Sequence, residues 1–201
     1  MAQIDASAVV PSGGYIYIAP VGTPKPETIT DPTDPGEDWE TIGHTSLDEL
    51  PEFGREADDP TTLGSWQNRK LRTVTPDVTY TITFNSIQCT ATTYQLYFGA
   101  GPGAVQADGS FRIPSTPVAQ EHALLVILVD GDTYVPLWHP RVSLLGSDAI
   151  SMSSEEFVTF PITGTLLAHE SVGGAIGEWF SIGTTPENLS VQPPSAGLTL
   201  G

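Results

Sequence analysis

The chain is 201 residues long and strongly acidic, with 24 Asp and Glu residues against 7 Lys and Arg and a formal net charge of −17. This balance argues against a nucleic-acid-binding protein, because affinity for DNA comes mainly from cations that neutralise phosphates. The mean hydropathy is −0.04, and no apolar run approaches the ~20 residues of a membrane helix. A membrane protein is therefore not expected, and the first residues lack the basic and apolar regions of a signal peptide.

The first 47 residues predict an arm, two short strands and a loop. Residues 1–14 are small and polar, as is typical of an N-terminal arm. Residues 15–18 combine aromatic and β-branched side chains, which predicts a short strand. Four prolines and many acids make residues 22–38 an exposed loop, and residues 39–47 are compatible with a second strand.

The stretch of residues 48–72 has no hydrophobic period and is long for a loop. Loops of this length are usually functional or disordered. Charge is uneven around it, since twelve of the 24 acids lie between residues 27 and 59 and three of the seven bases are Arg69, Lys70 and Arg72. The two groups could neutralise each other within one molecule or between copies, and the sequence leaves both possibilities open.

Residues 77–85 give the clearest strand pattern in the chain. Large apolar residues alternate there with threonines, as Val78, Tyr80, Ile82 and Phe84 against Thr79, Thr81 and Thr83. A period of two places the sets on opposite faces of a strand. We therefore predict that the apolar set faces a core and that the threonines face water or a partner.

A short helix is predicted over residues 91–98. Tyr94, Tyr97 and Phe98 fall at helical spacing, a threonine can cap the first turn, and Gly99 suits the position after the last turn.

The rest of the chain predicts further strands. Residues 124–129 are continuously apolar, which indicates a strand buried on both faces. Asp130-Gly131 then predicts a hairpin turn into residues 133–139, and residues 157–167 predict another strand. The predicted organisation is mainly β with one short helix.

The end of the chain is rich in glycine and proline. Residues 173–201 are therefore read as a C-terminal arm or linker after a domain of residues 15–172. The last residues, SVQPPSAGLTLG, weakly resemble the first strand of a bacterial immunoglobulin-like domain, although a simple tail is an equal interpretation.

Little in the sequence suggests catalysis or a bound cofactor or metal. Neither G-x-S-x-G nor H-E-x-x-H occurs, and the single cysteine excludes a thiolate zinc site. Gly99, Gly101 and Ala104 match a dinucleotide-binding pattern, but they follow a predicted helix instead of a strand. The run DPTDPGED lacks the acid spacing of a calcium loop. The four histidines are scattered, and we predict that the protein is not an enzyme.

Five segments in a fixed order resemble the major tail subunits of long-tailed phages that infect actinobacteria. They are GYIYIAPVGTP, IGHTSLDELPEFGRE, TTLGSWQNRKLRTV, TYTITFNSIQ and TYQLYFGAG, and the resemblance covers roughly residues 13–165. It implies an antiparallel β-sandwich or partial barrel with one short flanking helix, whose copies form stacked rings, usually of six. Each copy would lend strands to a β-barrel around a channel, and this channel would hold the tape-measure protein and later pass DNA.

The resemblance gives the unusual segments an expected role. Residues 48–72 would be ordered at contacts between rings, through the apolar and charged side chains of Phe53, Glu56, Asp58, Asp59, Leu63, Trp66, Arg69, Lys70 and Arg72. Thr79, Thr81 and Thr83 would line the channel. The other expected partners are the tail terminator, the baseplate or distal tail proteins and double-stranded DNA that passes without specific binding. The expected location is the virion tail, assembled in the bacterial host cytoplasm.

Two other classes of protein remain open at this point. One is a different virion component, such as a head decoration or tail-terminator protein. The other is a secreted β-sandwich binding module. The assembly state distinguishes them, since only a tail tube subunit forms open-ended tubes.

Overall fold

A computed structural model describes residues 8–180 of the chain. Within them lie one eight-stranded antiparallel sheet, a separate two-stranded hairpin and one α-helix. The strands are β1 (Gly13–Ala19), β2 (Glu40–Thr41), β3 (Glu52–Glu56), β4 (Thr61–Leu63), β5 (Arg72–Val74), β6 (Thr79–Ser86), β7 (Gln120–Asp130), β8 (Thr133–Gly146), β9 (Phe160–Leu166) and β10 (Glu178–Trp179). The helix is α1 (Ala91–Phe98). The prediction of a mainly β fold with one short helix is confirmed.

The main sheet has the order β2-β1-β7-β8-β9-β6-β3, and β10 also pairs with β8. The long β8 organises it, because β7 pairs along one edge while β10 and β9 share the other. The sheet is not closed into a barrel, although a single bridge from Thr45 to Ser86 ties the segment after β2 to β6. The main sheet is therefore strongly curved, which brings the segment after β2, at one end of the sheet, close to β6 near its other end.

Two apolar clusters lie on opposite faces of this sheet. The larger cluster contains Ile16 of β1 and Phe84 of β6, although these two strands lie near opposite ends of the strand order. Leu96 of α1 belongs to the same cluster. In the smaller one, Trp39 packs in the cluster that contains Leu125 of β7. Strand β7 therefore contributes to both cores, as its continuous apolar run predicts.

The predicted helix and hairpin are both present. Thr90 caps α1 by accepting a hydrogen bond from the Thr93 amide at 3.2 Å, and Gly99 ends the helix with a left-handed φ of 57°. In the hairpin Asp130 pairs with Thr133, so the two loop residues are Gly131 and Asp132. The turn is shifted by one residue from the predicted position, because the positive φ of Gly131 belongs at the first loop position of a II′ turn.

Three predicted boundaries differ from the structure. Strand β1 begins at Gly13, within the predicted N-terminal arm, and the Ser12 amide already donates to the Val129 carbonyl at 2.8 Å. The second strand, expected over residues 39–47, is only two residues long. Residues 48–72 are not one irregular loop, because they contain β3, β4 and the start of β5. Strands β3, β4 and β5 have mostly exposed side chains and therefore lack the apolar alternation that predicts a strand.

The first residues of the predicted C-terminal arm, up to residue 180, are part of the folded domain. Residues 178 and 179 form β10 on the edge of β8, and Phe180 packs against the smaller apolar cluster. The rest of the predicted arm and the immunoglobulin-like end lie outside the described residues, as do residues 1–7.

His139 is a buried histidine at the centre of the sheet. Its side chain is 1% exposed, Nδ1 lies 2.8 Å from the Ile176 carbonyl, and Nε2 has no partner among residues 8–180. Nδ1 therefore donates its proton to the carbonyl, and the ring is neutral. Loss of solvation lowers the pKa of His139 below its usual range.

This burial predicts that the fold weakens in mild acid. The unfolded chain takes up a proton on His139 below pH ~6.5, whereas the folded chain resists it. Stability should therefore be constant above that pH and fall as the pH drops below it, and the lowered pKa of the partly buried His122 adds in the same direction. This pH dependence of stability can be measured as the midpoint of urea unfolding between pH 7.5 and 5, on a form of the chain that does not polymerise. The change of the urea midpoint with pH should be smaller in His139→Gln. It should persist in the control His44→Gln, which changes an exposed histidine. An equal change in both variants would contradict the assignment.

Candidate assembly surfaces

The β4–β5 hairpin stands apart from the main sheet. Thr61 pairs with Val74 and Leu63 with Arg72, and every residue from 55 to 75 is exposed. The tip is held by its own polar groups, since the Ser65 amide donates to the Asn68 carbonyl at 2.7 Å. A two-stranded hairpin is marginally stable alone in water, and among the described strands β4 and β5 pair only with each other.

The hairpin brings together five of the nine residues predicted for self-assembly. They are Leu63, Trp66, Arg69, Lys70 and Arg72. Trp66 is 98% exposed, which is an unusual position for the largest apolar side chain. The hairpin thus combines apolar surface with three cations.

Of the other four predicted residues, three lie on the approach to the hairpin and one in the body of the protein. Glu56 ends β3, and Asp58 and Asp59 lie in the connection to β4. Phe53 belongs to the body of the protein, because its ring centroid lies 5.9 Å from that of Tyr80 and 6.0 Å from that of His139.

No ion pair within residues 8–180 neutralises the charges of the hairpin. The ion pairs in the described part of the chain join Lys25 to Glu178 and Arg141 to Glu121. Arg69, Lys70 and Arg72 belong to neither pair, although acids are numerous nearby in sequence. Of the two possibilities left open by the sequence, charge neutralisation between copies is the one this geometry favours.

A second surface is the threonine-rich face of the main sheet. On β6 and β9, Thr81 lies opposite Thr165 and Thr83 opposite Thr163, and on β8 Ser143 lies beside Thr165. Directly paired residues of an antiparallel sheet share a face. The six residues that make this hydroxyl face are Thr79, Thr81, Thr83, Ser143, Thr163 and Thr165, all exposed or half-buried.

The two faces of these strands differ as predicted. Ile82 and Phe84 of β6 are buried on the side where α1 packs, whereas Tyr80 is partly buried there and the threonines lie on the reverse side. Strand β3 continues the hydroxyl face with acids, because Glu52 pairs with Thr83 and Glu56 with Thr79. The result is an uncharged hydroxyl surface with an acidic border.

Sequence reasoning missed the β8 and β9 residues of the hydroxyl face. The threonines at alternate positions of FPITGTL on β9 carried the same signal as those of β6. What the pattern could not give was that β9 lies beside β6, because that pairing joins residues about 80 positions apart.

Residues 8–180 offer no group of three or more His, Cys, Asp and Glu side chains that could hold a metal ion. The α-helix in that range is too short to cross a membrane.

Comparison with known proteins identifies the family of this chain. The profile of a family described as "Phage tail tube protein" matches residues 1–188. "Major tail protein Gp23" of Mycobacterium phage D29 is 33% identical over 182 residues, which cover 85% of this chain and 89% of that protein. "Major tail protein Gp23" of Mycobacterium phage L5 is 32% identical over 185 residues, with the same coverage. The chain belongs to the phage tail tube protein family, which is a family of structural tail proteins and not of enzymes.

Proposed function

We propose that copies of this chain assemble into stacked rings of six subunits that form the wall of a tail tube, the conduit through which the phage ejects its DNA. In this proposal β3, β6, β9 and β8 of each copy contribute to a shared β-barrel, and their hydroxyl face lines the channel. The tape-measure protein fills the channel before ejection. The tail terminator and the baseplate or distal tail proteins bind the two ends, and assembly takes place in the host cytoplasm.

The observation that carries this proposal is the exposed β4–β5 hairpin. Trp66 is almost fully exposed, and Arg69, Lys70 and Arg72 lack acidic partners in the described part of the chain. Burying such a side chain stabilises a contact by ~1.5–3 kcal/mol. In a lone monomer the hairpin leaves Trp66 exposed to water. In a contact between copies its burial would stabilise the assembly.

The hydroxyl face supports the position of the channel. It presents no cation to DNA phosphates, and its acidic border formed by Glu52 and Glu56 repels them. Among the strands of residues 8–180, β3 ends the sheet with one unpaired edge. Such an edge is a site for pairing with another chain, and a barrel shared among copies removes it.

The direct test is microscopy of the purified chain at rising concentration. We expect open-ended tubes of uniform width in negative stain, with a sharp onset because stacking is cooperative. Capped rings would indicate a terminator, trimers that bind capsids would indicate a decoration protein, and a persistent glycan-binding monomer would indicate a secreted module. Each of these three results would overturn the proposal.

A further inference from the structure

A cleft opens on the main sheet at the end where β6 stops. It has a volume of about 1210 Å³ and lies between residues 45–52 and the loop of residues 147–159. Leu47 and Phe157, exposed by 84% and 75%, belong to its lining together with Leu50. Exposed apolar side chains around one concave surface indicate a binding groove.

The polar lining of this cleft is acidic. Asp48, Glu49, Glu52, Asp148 and Glu156 line it, and its described lining includes neither Lys, Arg nor His. None of these carboxylates is in an ion pair within residues 8–180. The cleft therefore fits an occupant that is both apolar and basic.

The β4–β5 hairpin has this combination of properties. Its exposed apolar residues are Leu63, Trp66 and Leu71, and its bases are Arg69, Lys70 and Arg72. Of the seven Lys and Arg residues in the chain, three are here. No other segment of this chain places three bases and exposed apolar residues together.

The cleft and the hairpin lie at opposite ends of the same two strands. Glu52 and Thr83 line the cleft, whereas Glu56 and Thr79, at the other ends of β3 and β6, lead into the hairpin. From Thr79 to Asn85, another lining residue, the distance along β6 is roughly 20 Å. The hairpin therefore leaves these strands at the end remote from the cleft of its own molecule, and its residues are exposed there.

We propose that the β4–β5 hairpin of one copy inserts into the acidic cleft of the next copy. Trp66 and Leu63 pack against Leu47, Leu50 and Phe157, while the three bases meet the carboxylates. Because donor and acceptor are different surfaces, the contact is head-to-tail, and repetition builds a directional polymer and not a closed two-fold dimer. This inference rests on the proposed self-assembly and identifies the surface that receives the hairpin.

The test exchanges the charges of the two surfaces. Arg69→Glu/Lys70→Glu makes the hairpin acidic, and Asp48→Lys/Glu156→Lys makes the cleft basic; all four residues are exposed. Each variant alone should lose sedimentable polymer. An equimolar mixture should recover it, because each mutant surface then meets a complementary one. Glu37→Lys/Asp38→Lys, which reverses two exposed acids outside the cleft, is the matched control and should assemble normally.

A cysteine pair tests the contact directly. In a Cys89→Ser chain, Trp66→Cys together with Phe157→Cys should give a ladder of disulfide-linked multimers, whereas Trp66→Cys with Ala91→Cys, on the exposed start of α1, should not. If the unchanged chain forms tubes but the cleft variant assembles normally and no ladder appears, the cleft is not the receptor and the proposed tube function stands. If the unchanged chain forms no polymer at all, the proposed function itself fails.

Discussion

The variant Arg69→Glu/Lys70→Glu is expected to remain a folded monomer at concentrations where the unchanged chain forms tubes. Both bases lie at the exposed hairpin tip without an acidic partner in the described part of the chain. In an interface, a reversed charge faces a like charge, and disrupting one desolvated charge pair costs about 2–5 kcal/mol. A loss of ~3 kcal/mol per contact raises the concentration needed for assembly more than ~100-fold. Sedimentation and negative-stain microscopy measure that threshold.

Single reversals provide the matched control. Arg69→Glu and Arg112→Glu change net charge equally and both affect exposed bases, but Arg112 lies outside the hairpin, near the loop after α1. Only Arg69→Glu should raise the threshold, and circular dichroism should show both variants folded. Unchanged tubes from the double variant, or equal effects of the two single ones, would count against the hairpin as an assembly element.

Thiols placed at Thr79, Thr81 and Thr83 are expected to lose reactivity when subunits assemble. If the hydroxyl face lines the channel, a bulky thiol reagent reaches these positions only from the open ends of a tube. Labelling should therefore slow by more than about tenfold in long tubes and return on dissociation. Position 79 gives the clearest comparison, because Thr79 is exposed in the single subunit whereas Thr81 and Thr83 are half-buried, and Thr83 also lines the cleft proposed to receive the hairpin.

The native thiol supplies the internal control for this experiment. Cys89 is exposed and lies just before α1, which packs on the opposite side of the sheet from the threonines. The introduced thiols are read in a Cys89→Ser chain, and Cys89 itself is read in the unchanged chain. Cys89 should react at similar rates in tubes and subunits. Rapid labelling of the threonine positions in tubes would place the hydroxyl face outside and would refute the channel assignment.

Local features of this fold were predictable from neighbouring residues alone. A threonine, Thr90, caps the helix and Gly99 ends it, as the sequence predicts, because a cap acts within one turn of its own helix. The alternation in β6 gave the correct buried face, because successive side chains of a strand point to opposite sides. The hairpin after β7 was also expected, with a turn error of one residue.

The sequence by itself therefore determined the fold class, the helix, the strongest strands and, through the resemblance, the family. Only the tertiary structure showed that residues 48–72 contain β3 and most of a projecting hairpin, that Thr163 and Thr165 extend the threonine face of β6, and that the cleft lies opposite the hairpin. The physical reason is the range of the interactions. Caps and alternation act between residues a few positions apart, whereas strand order, register and clefts depend on pairings between distant segments, which a local pattern does not specify.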